Sequence, residues 1–225
     1  MTTVDASAIQ QRIVEAKFLP LFTTADPDIA RRVLHASYRA GIKAFEFTAR
    51  THNSLALFTE LKTYCSQQLP DLLLGIGTIK NKVQAQQFLD AGADFFVSPL
   101  ILPEIFEITN QHKKLWIPGC ATATEIGTAE NWGLRLVKVF PARQLGGPAY
   151  IKAIKAVFPQ MQLLATGGVM PDETDLRAWF ESGVDAAGIG SQLFPEEMLA
   201  SEEALYGHLK KITDGIETLK TRGVT

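Results

Sequence analysis

Short, continuously apolar runs recur along the chain, and each is followed by a longer stretch in which apolar residues return every three or four positions. The runs are Phe18–Thr23, Ala44–Thr48, Leu72–Thr78, Phe95–Pro99, Leu115–Gly119, Leu136–Pro141, Gln162–Gly168 and Ala186–Ser191. Their length and their β-branched and aromatic content predict buried strands. The stretches between them predict helices, for instance over Pro27–Ala40, Ser54–Gln68, Asn81–Ala91 and Pro171–Ser182. Asp26 stands where a helix N-cap belongs, with Pro27 at the first helical position. Ala40-Gly41, Ala91-Gly92-Ala93 and Ser182-Gly183 each place glycine at a helix end just ahead of a strand. One more helix is predicted over Ala8–Lys17, before the first strand, and a last helix with a polar tail follows Pro195.

Strands that alternate with helices pair in parallel, and runs this apolar are covered on both faces. Eight such units predict an α/β protein, a (β/α)₈ TIM barrel with an extra N-terminal helix. No Pro/Ser-rich linker interrupts residues 1–225, so they read as one barrel domain. An open, doubly wound sheet is the alternative, because periodicity alone does not prove closure.

The polar residues inside or just after the runs carry the chemistry. Lys138 lies in Leu134-Arg135-Leu136-Val137-Lys138-Val139-Phe140-Pro141, where alternation puts Leu136, Lys138 and Phe140 on one face. An ammonium among apolar neighbours loses hydration, which favours the neutral amine, a nucleophile able to form a Schiff base with a carbonyl. A strand-end lysine that snorkels to water or pairs with a carboxylate is the plainer reading. Glu46 sits between Phe45 and Phe47, with Glu46 and Thr48 facing inward and the two phenylalanines packing under helices. It reads as a general base or proton shuttle, or else as one half of a buried pair with Lys138 or Arg50. Arg50 and Thr51 follow that strand, where a guanidinium can clamp a carboxylate. Gly75-Ile76-Gly77-Thr78 offers close backbone approach to a ligand and a hydroxyl, or else forms a tight barrel turn. Thr166-Gly167-Gly168 and Gly188-Ile189-Gly190-Ser191 end the last two runs; either alone reads equally as a turn, but together they occupy the usual phosphate position of a barrel.

Composition narrows the field. The chain has 225 residues, 46% of them hydrophobic, and a net charge of −2, which gives no support to general nucleic-acid binding. Cys65 and Cys120 do not form a disulfide framework, and His35, His52, His112 and His208 lack metal-ligand spacing, so no metal is expected. Met1-Thr2-Thr3-Val4-Asp5 has neither the basic start nor the apolar core of a signal peptide, and no run spans a bilayer. A cytoplasmic protein without membrane partners is expected.

Seven phrases in register, from roughly Phe18 to Phe194, resemble the KDPG / 4-hydroxy-2-oxoglutarate aldolase family of class I aldolases. They are Phe45-Glu46-Phe47-Thr48-Ala49-Arg50-Thr51, Gly75-Ile76-Gly77-Thr78, Phe96-Val97-Ser98-Pro99, Ile117-Pro118-Gly119, Val137-Lys138-Val139-Phe140-Pro141, Thr166-Gly167-Gly168 and Gly188-Ile189-Gly190-Ser191. The resemblance implies reversible cleavage of 2-dehydro-3-deoxy-6-phosphogluconate to pyruvate and glyceraldehyde 3-phosphate, and of 4-hydroxy-2-oxoglutarate to pyruvate and glyoxylate. It implies Lys138 as the Schiff-base lysine and Glu46 as the acid/base residue. Arg50 and Thr78 would hold the pyruvate carboxylate, Phe140 would pack against the imine, and Pro99 and Thr166 would also touch substrate. Gly167, Gly168, Gly190 and Ser191 would hold the phosphate. No cofactor is implied, and the assembly implied is a homotrimer. Phe22-Thr23-Thr24 departs from relatives that carry a basic residue there, and Cys120 replaces a small residue and has no assigned role. Aldolases for the galactonate epimer or for an unphosphorylated hydroxy-oxo acid remain as alternatives. So do a sugar-phosphate isomerase or epimerase and a non-catalytic sugar-phosphate-binding barrel.

Overall fold

The eight apolar runs become strands in the computed structural model, which describes residues 5–224. The reading of Met1–Val4 as lacking a leader falls on residues outside that range. The strands are β1 (Phe18–Phe22), β2 (Ala44–Thr48), β3 (Leu73–Gly77), β4 (Phe95–Val97), β5 (Leu115–Ile117), β6 (Gly119–Cys120), β7 (Leu136–Val139), β8 (Gln162–Thr166) and β9 (Ala186–Ile189). The helices between and around them are α1 (Ala6–Ala16), α2 (Pro27–Arg39), α3 (Ser54–Gln68), α4 (Lys82–Asp90), α5 (Pro103–Gln111), α6 (Ala123–Asn131), α7 (Pro148–Val157), α8 (Glu173–Glu181) and α9 (Glu202–Thr221).

All strand pairs are parallel, in the order β5-β4-β3-β2-β1-β9-β8-β7-β6. The two ends of that order, β5 and β6, are pieces of one run divided at Pro118. Proline donates no ladder bond, yet its carbonyl still accepts one from the Lys138 amide at 2.8 Å. The ring therefore closes through the broken strand, and the barrel, not the open sheet, is the fold.

Side-chain alternation sets two cores. Phe45, Phe47, Val137 and Val139 face outward into the layer under the helices. Leu19, Ala44, Leu73, Phe95, Leu115, Leu136, Leu164 and Ala186 point inward near the strand starts. Ile9 and Ile13 of α1 pack into this inner group, so the extra helix plugs the N-terminal end of the barrel. Gly75 belongs to the same packing: a Cβ there would lie 2.3 Å from the Phe95 ring. Asp26 caps α2 as expected, accepting from the amides of Asp28 and Ile29 at 2.8 and 3.1 Å. Among the described residues no helix is long and apolar enough to cross a membrane.

Candidate active site

With one end plugged, the polar inward residues collect towards the other, in the C-terminal halves of the strands and the loops that follow them. Lys138 stands on β7 level with Gly119 of β6 and Leu164 of β8, one inward position above Leu136. Only 4% of it is exposed. Its Nζ lies 5.2 Å from the centroid of the Phe140 ring.

Glu46 on β2 is level with Leu21 and Gly75 and is 1% exposed. Neither carboxyl oxygen has a hydrogen-bond partner among the described residues, and no ion pair joins Glu46 to Lys138 or Arg50. Burial pushes its pKa above the ordinary carboxylate range, against the opposing pull of the Lys138 and Arg50 charges. A buried, unpartnered carboxyl is costly to keep, and such groups concentrate where protons are moved.

Gly77 makes the seat for that carboxyl: a Cβ there would fall 1.7 Å from Glu46 Oε1. Gly75 and Gly77 make room for Phe95 and Glu46 across the barrel interior. Gly77→Ala is expected to displace the carboxyl and lower turnover by roughly 10²-fold, the scale of an ångström-sized misplacement. Steady-state kinetics on the folded variant would check this, and unchanged turnover would contradict it.

Arg50 is exposed just past β2 and donates from Nε to Thr78 Oγ1 at 3.3 Å. Thr78 has φ +65°, a conformation that costs a β-branched residue about 1–3 kcal/mol and is typical of ligand-holding turns. Between the ends of β1 and β2, Thr48 Oγ1 donates to the Phe22 carbonyl at 3.3 Å and Thr23 Oγ1 to the Thr48 carbonyl at 3.2 Å. These two bonds fix the cleft wall between β1 and β2.

A cleft of ≈ 350 Å³ opens at this end, lined by Arg50, Phe140, Thr166, Gly167, Gly168, Gly190 and Ser191. Gly167 and Gly168 have φ of +98° and +81°, dihedrals open to glycine at little cost. Gly190 opens the short 3₁₀ turn Ser191–Leu193, and Ser191 is exposed. Thr166 Oγ1 is buried without a partner among the described residues, and a Cβ at Gly188 would come within 2.1 Å of it.

Lys138, Glu46, Thr78 and Pro99 are not among the residues lining the cleft. Pro99 crosses Gly119, where a Cβ would lie 2.3 Å from the Pro99 carbonyl carbon. It thus packs against the ladder neighbour of Lys138. Sequence reasoning missed Gln192 and Phe194, which also line the cleft; adjacency to Ser191 was the available signal for Gln192. Cys120 faces the outer core, and burial pushes its thiol up to about 12, so it is an inert packing residue. The described residues contain no group of three His, Cys, Asp or Glu able to hold a metal ion.

The family model for KDPG and KHG aldolase matches residues 9–210. The chain is 34% identical over 161 residues to the 2-dehydro-3-deoxy-phosphogluconate aldolase of Treponema pallidum (strain Nichols), covering 72% of this chain and 75% of that protein. It is 38% identical over 123 residues to the 2-dehydro-3-deoxy-6-phosphogalactonate aldolase of Escherichia coli (strain K12), covering 54% and 58%. Among solved structures, the KDPG aldolase from Legionella pneumophila, with pyruvate captured at low pH as a covalent carbinolamine intermediate, superposes with a TM-score of 0.82. The identity is 26%, over 93% of this chain and 98% of that one. Residues 9–210 take in most of the plug helix, every strand and the Ser191 turn, and the chain belongs to the KDPG and KHG aldolase family.

Proposed function

We propose that this chain is a class I aldolase. It cleaves 2-dehydro-3-deoxy-6-phosphogluconate reversibly to pyruvate and glyceraldehyde 3-phosphate, and 4-hydroxy-2-oxoglutarate to pyruvate and glyoxylate. The observation that carries this reading is an inward lysine and an unpartnered inward glutamate, both buried, at the C-terminal end of one barrel. Lys138 Nζ adds to the C2 carbonyl, and loss of water from the carbinolamine leaves a protonated imine. The C3–C4 bond then breaks with its electron pair passing into the imine, while Glu46 accepts the C4 hydroxyl proton. The aldehyde departs, Glu46 returns a proton to C3 of the enamine, and water releases pyruvate from Lys138. A carboxyl held above its ordinary range suits a group that must both take and give a proton.

Arg50, steadied by Thr78, offers its guanidinium to the substrate carboxylate, and Phe140 packs on the imine. Pro99 supports that end through Gly119. Thr166 faces the substrate hydroxyls, while Gly167, Gly168, Gly190 and Ser191 hold the phosphate. The galactonate-derived C4 epimer is a second substrate reading, supported by the 38% identity to the Escherichia coli relative. Residues 1–225 form one domain in this proposal, acting as a cytoplasmic homotrimer, which the family resemblance supports.

The test is to treat the protein with pyruvate and borohydride, then measure intact mass and map peptides. One reduced adduct per chain on Lys138 is expected; an adduct on another lysine, or none, would sink the proposal. The phosphate end is tested separately by Ser191→Ala. A hydroxyl donor to a charged oxygen contributes about 1.5–3 kcal/mol. Its kcat/KM for the phosphorylated aldol is therefore expected to fall by roughly tenfold or more, with little change on 4-hydroxy-2-oxoglutarate. Equal losses on both substrates would mean that Ser191 only supports the barrel mouth.

A further inference from the structure

Three successive carbonyls from the last residue of β8 onward are held by the loop that follows Lys138. The Ala142 amide donates to Thr166 O at 2.8 Å and the Arg143 amide to Gly167 O at 3.0 Å. Arg143 Nε donates to Gly168 O at 2.5 Å. The peptide bonds here are trans, so each N–H points opposite to the carbonyl of its own peptide unit. The amides of Gly167, Gly168 and Val169 are thereby turned away from Arg143, and all three residues line the cleft. None of the three amides donates to a backbone carbonyl among the described residues.

Two adjacent left-handed glycines have little intrinsic reason to keep one orientation. The other edge of the guanidinium supplies a reason. Arg143 Nη2 donates to both oxygens of Asp175 at 2.6 Å, and Asp175 also accepts from the Met170 amide at 2.8 Å and from Trp179 Nε1 at 3.1 Å. The guanidinium carbon lies 5.5 Å from the Trp179 ring centroid. Arg143 therefore binds the loop at Gly167 and Gly168, and Asp175 binds it at Met170, both from behind. A Cβ at Gly168 would come within 2.7 Å of Arg143 Cβ, so the glycine is what lets the clamp close.

We infer that Arg143, anchored by Asp175, is a positioning residue for the substrate phosphate: it aims the loop amides into the cleft and does not bind phosphate itself. This rests on the aldolase reading for its substrate, although anion binding by the loop can be measured without turnover. The charge of Arg143 is matched by Asp175, which leaves backbone dipoles to meet the anion.

The test compares wild type, Arg143→Ala, Arg143→Lys and Asp175→Asn. Calorimetric titration with glycerol 3-phosphate reads the site directly, and KM for the phosphorylated aldol is set against kcat/KM for 4-hydroxy-2-oxoglutarate. Arg143→Ala is expected to weaken glycerol 3-phosphate binding by about tenfold, or about 1.4 kcal/mol, and to raise KM for the phosphorylated aldol alike. Cleavage of 4-hydroxy-2-oxoglutarate and borohydride trapping of pyruvate should be unchanged. Lysine keeps the charge but cannot serve Gly168 and Asp175 together, so Arg143→Lys should resemble alanine. Asp175→Asn should also weaken binding. A direct ligand would behave oppositely, with Arg143→Lys retaining affinity and Asp175→Asn gaining it as the guanidinium is freed. Either result, or no binding to wild type, would overturn the inference. Failure of wild type to trap pyruvate would sink the aldolase reading and leave the titration as the measure of the clamp.

Discussion

Lys138→Arg is expected to abolish both pyruvate trapping and aldol cleavage. Arginine preserves the positive charge at a position that is 4% exposed, so the electrostatic influence on Glu46 stays in place. It has no free amine to add to a carbonyl, because a guanidinium is not deprotonated under working conditions. A role in balancing charge would survive this change and a covalent role would not. Loss of a covalent nucleophile should lower kcat by about 10⁴-fold or more. The reduced adduct seen in wild type should be absent from the variant's intact-mass spectrum. Cleavage near wild-type rates with the adduct on another lysine would remove the core of the mechanism.

Glu46→Gln separates proton transfer from imine formation. The amide occupies almost the same volume against Gly77 but neither takes nor returns a proton. We expect kcat to fall by roughly 10²–10⁴-fold while pyruvate still becomes trapped on Lys138. Exchange of the pyruvate methyl protons with deuterated water should slow in parallel. The raised pKa gives two further readouts. Cleavage needs the ionised form, so wild-type activity should climb as pH rises through the elevated pKa, and the glutamine variant should lose that limb. A carboxyl with a raised folded-state pKa holds its proton longer than the unfolded chain does. Its contribution to stability is therefore present in acid and declines as pH rises past the ordinary carboxylate range. Glu46→Gln, free of that decline, should gain thermal stability over wild type towards neutral pH. Wild-type rates of cleavage and exchange in the variant would place the base elsewhere.

Much of this was legible in the residues. Apolar runs and helical periodicity located the strands, with β5 and the start of β6 as one run, and alternation put Lys138 and Glu46 inside because the side chains of a strand have a strict period of two. What the chain did not disclose depends on neighbours distant in sequence. Pro118 looked continuous with its run, and the break appears only when the donors on each side are assigned to partners. One strand does not reveal that Phe95 and Glu46 reach across towards Gly75 and Gly77. Arg143 drew no attention, since its partners Gly168 and Asp175 lie 25 and 32 positions away. The packing of Pro99 onto Gly119 is likewise invisible in the chain, because it is set by how the β4–α5 and β6 segments meet.

The plug helix has a kinetic meaning as well as a structural one. With Ile9 and Ile13 sealing the floor, the barrel is a blind well, and whatever enters must leave by the same mouth. On the proposed chemistry the pyruvate half is tethered to Lys138 in the depth, while the half that becomes aldehyde lies above it, beside Gly168 and Ser191. The two fragments consequently leave as a queue: the aldehyde, formed uppermost and held by no covalent bond, goes out first, and pyruvate follows once water has cut its tether. In the synthetic direction the order inverts, and an aldehyde that arrives before pyruvate stands in the doorway and blocks it.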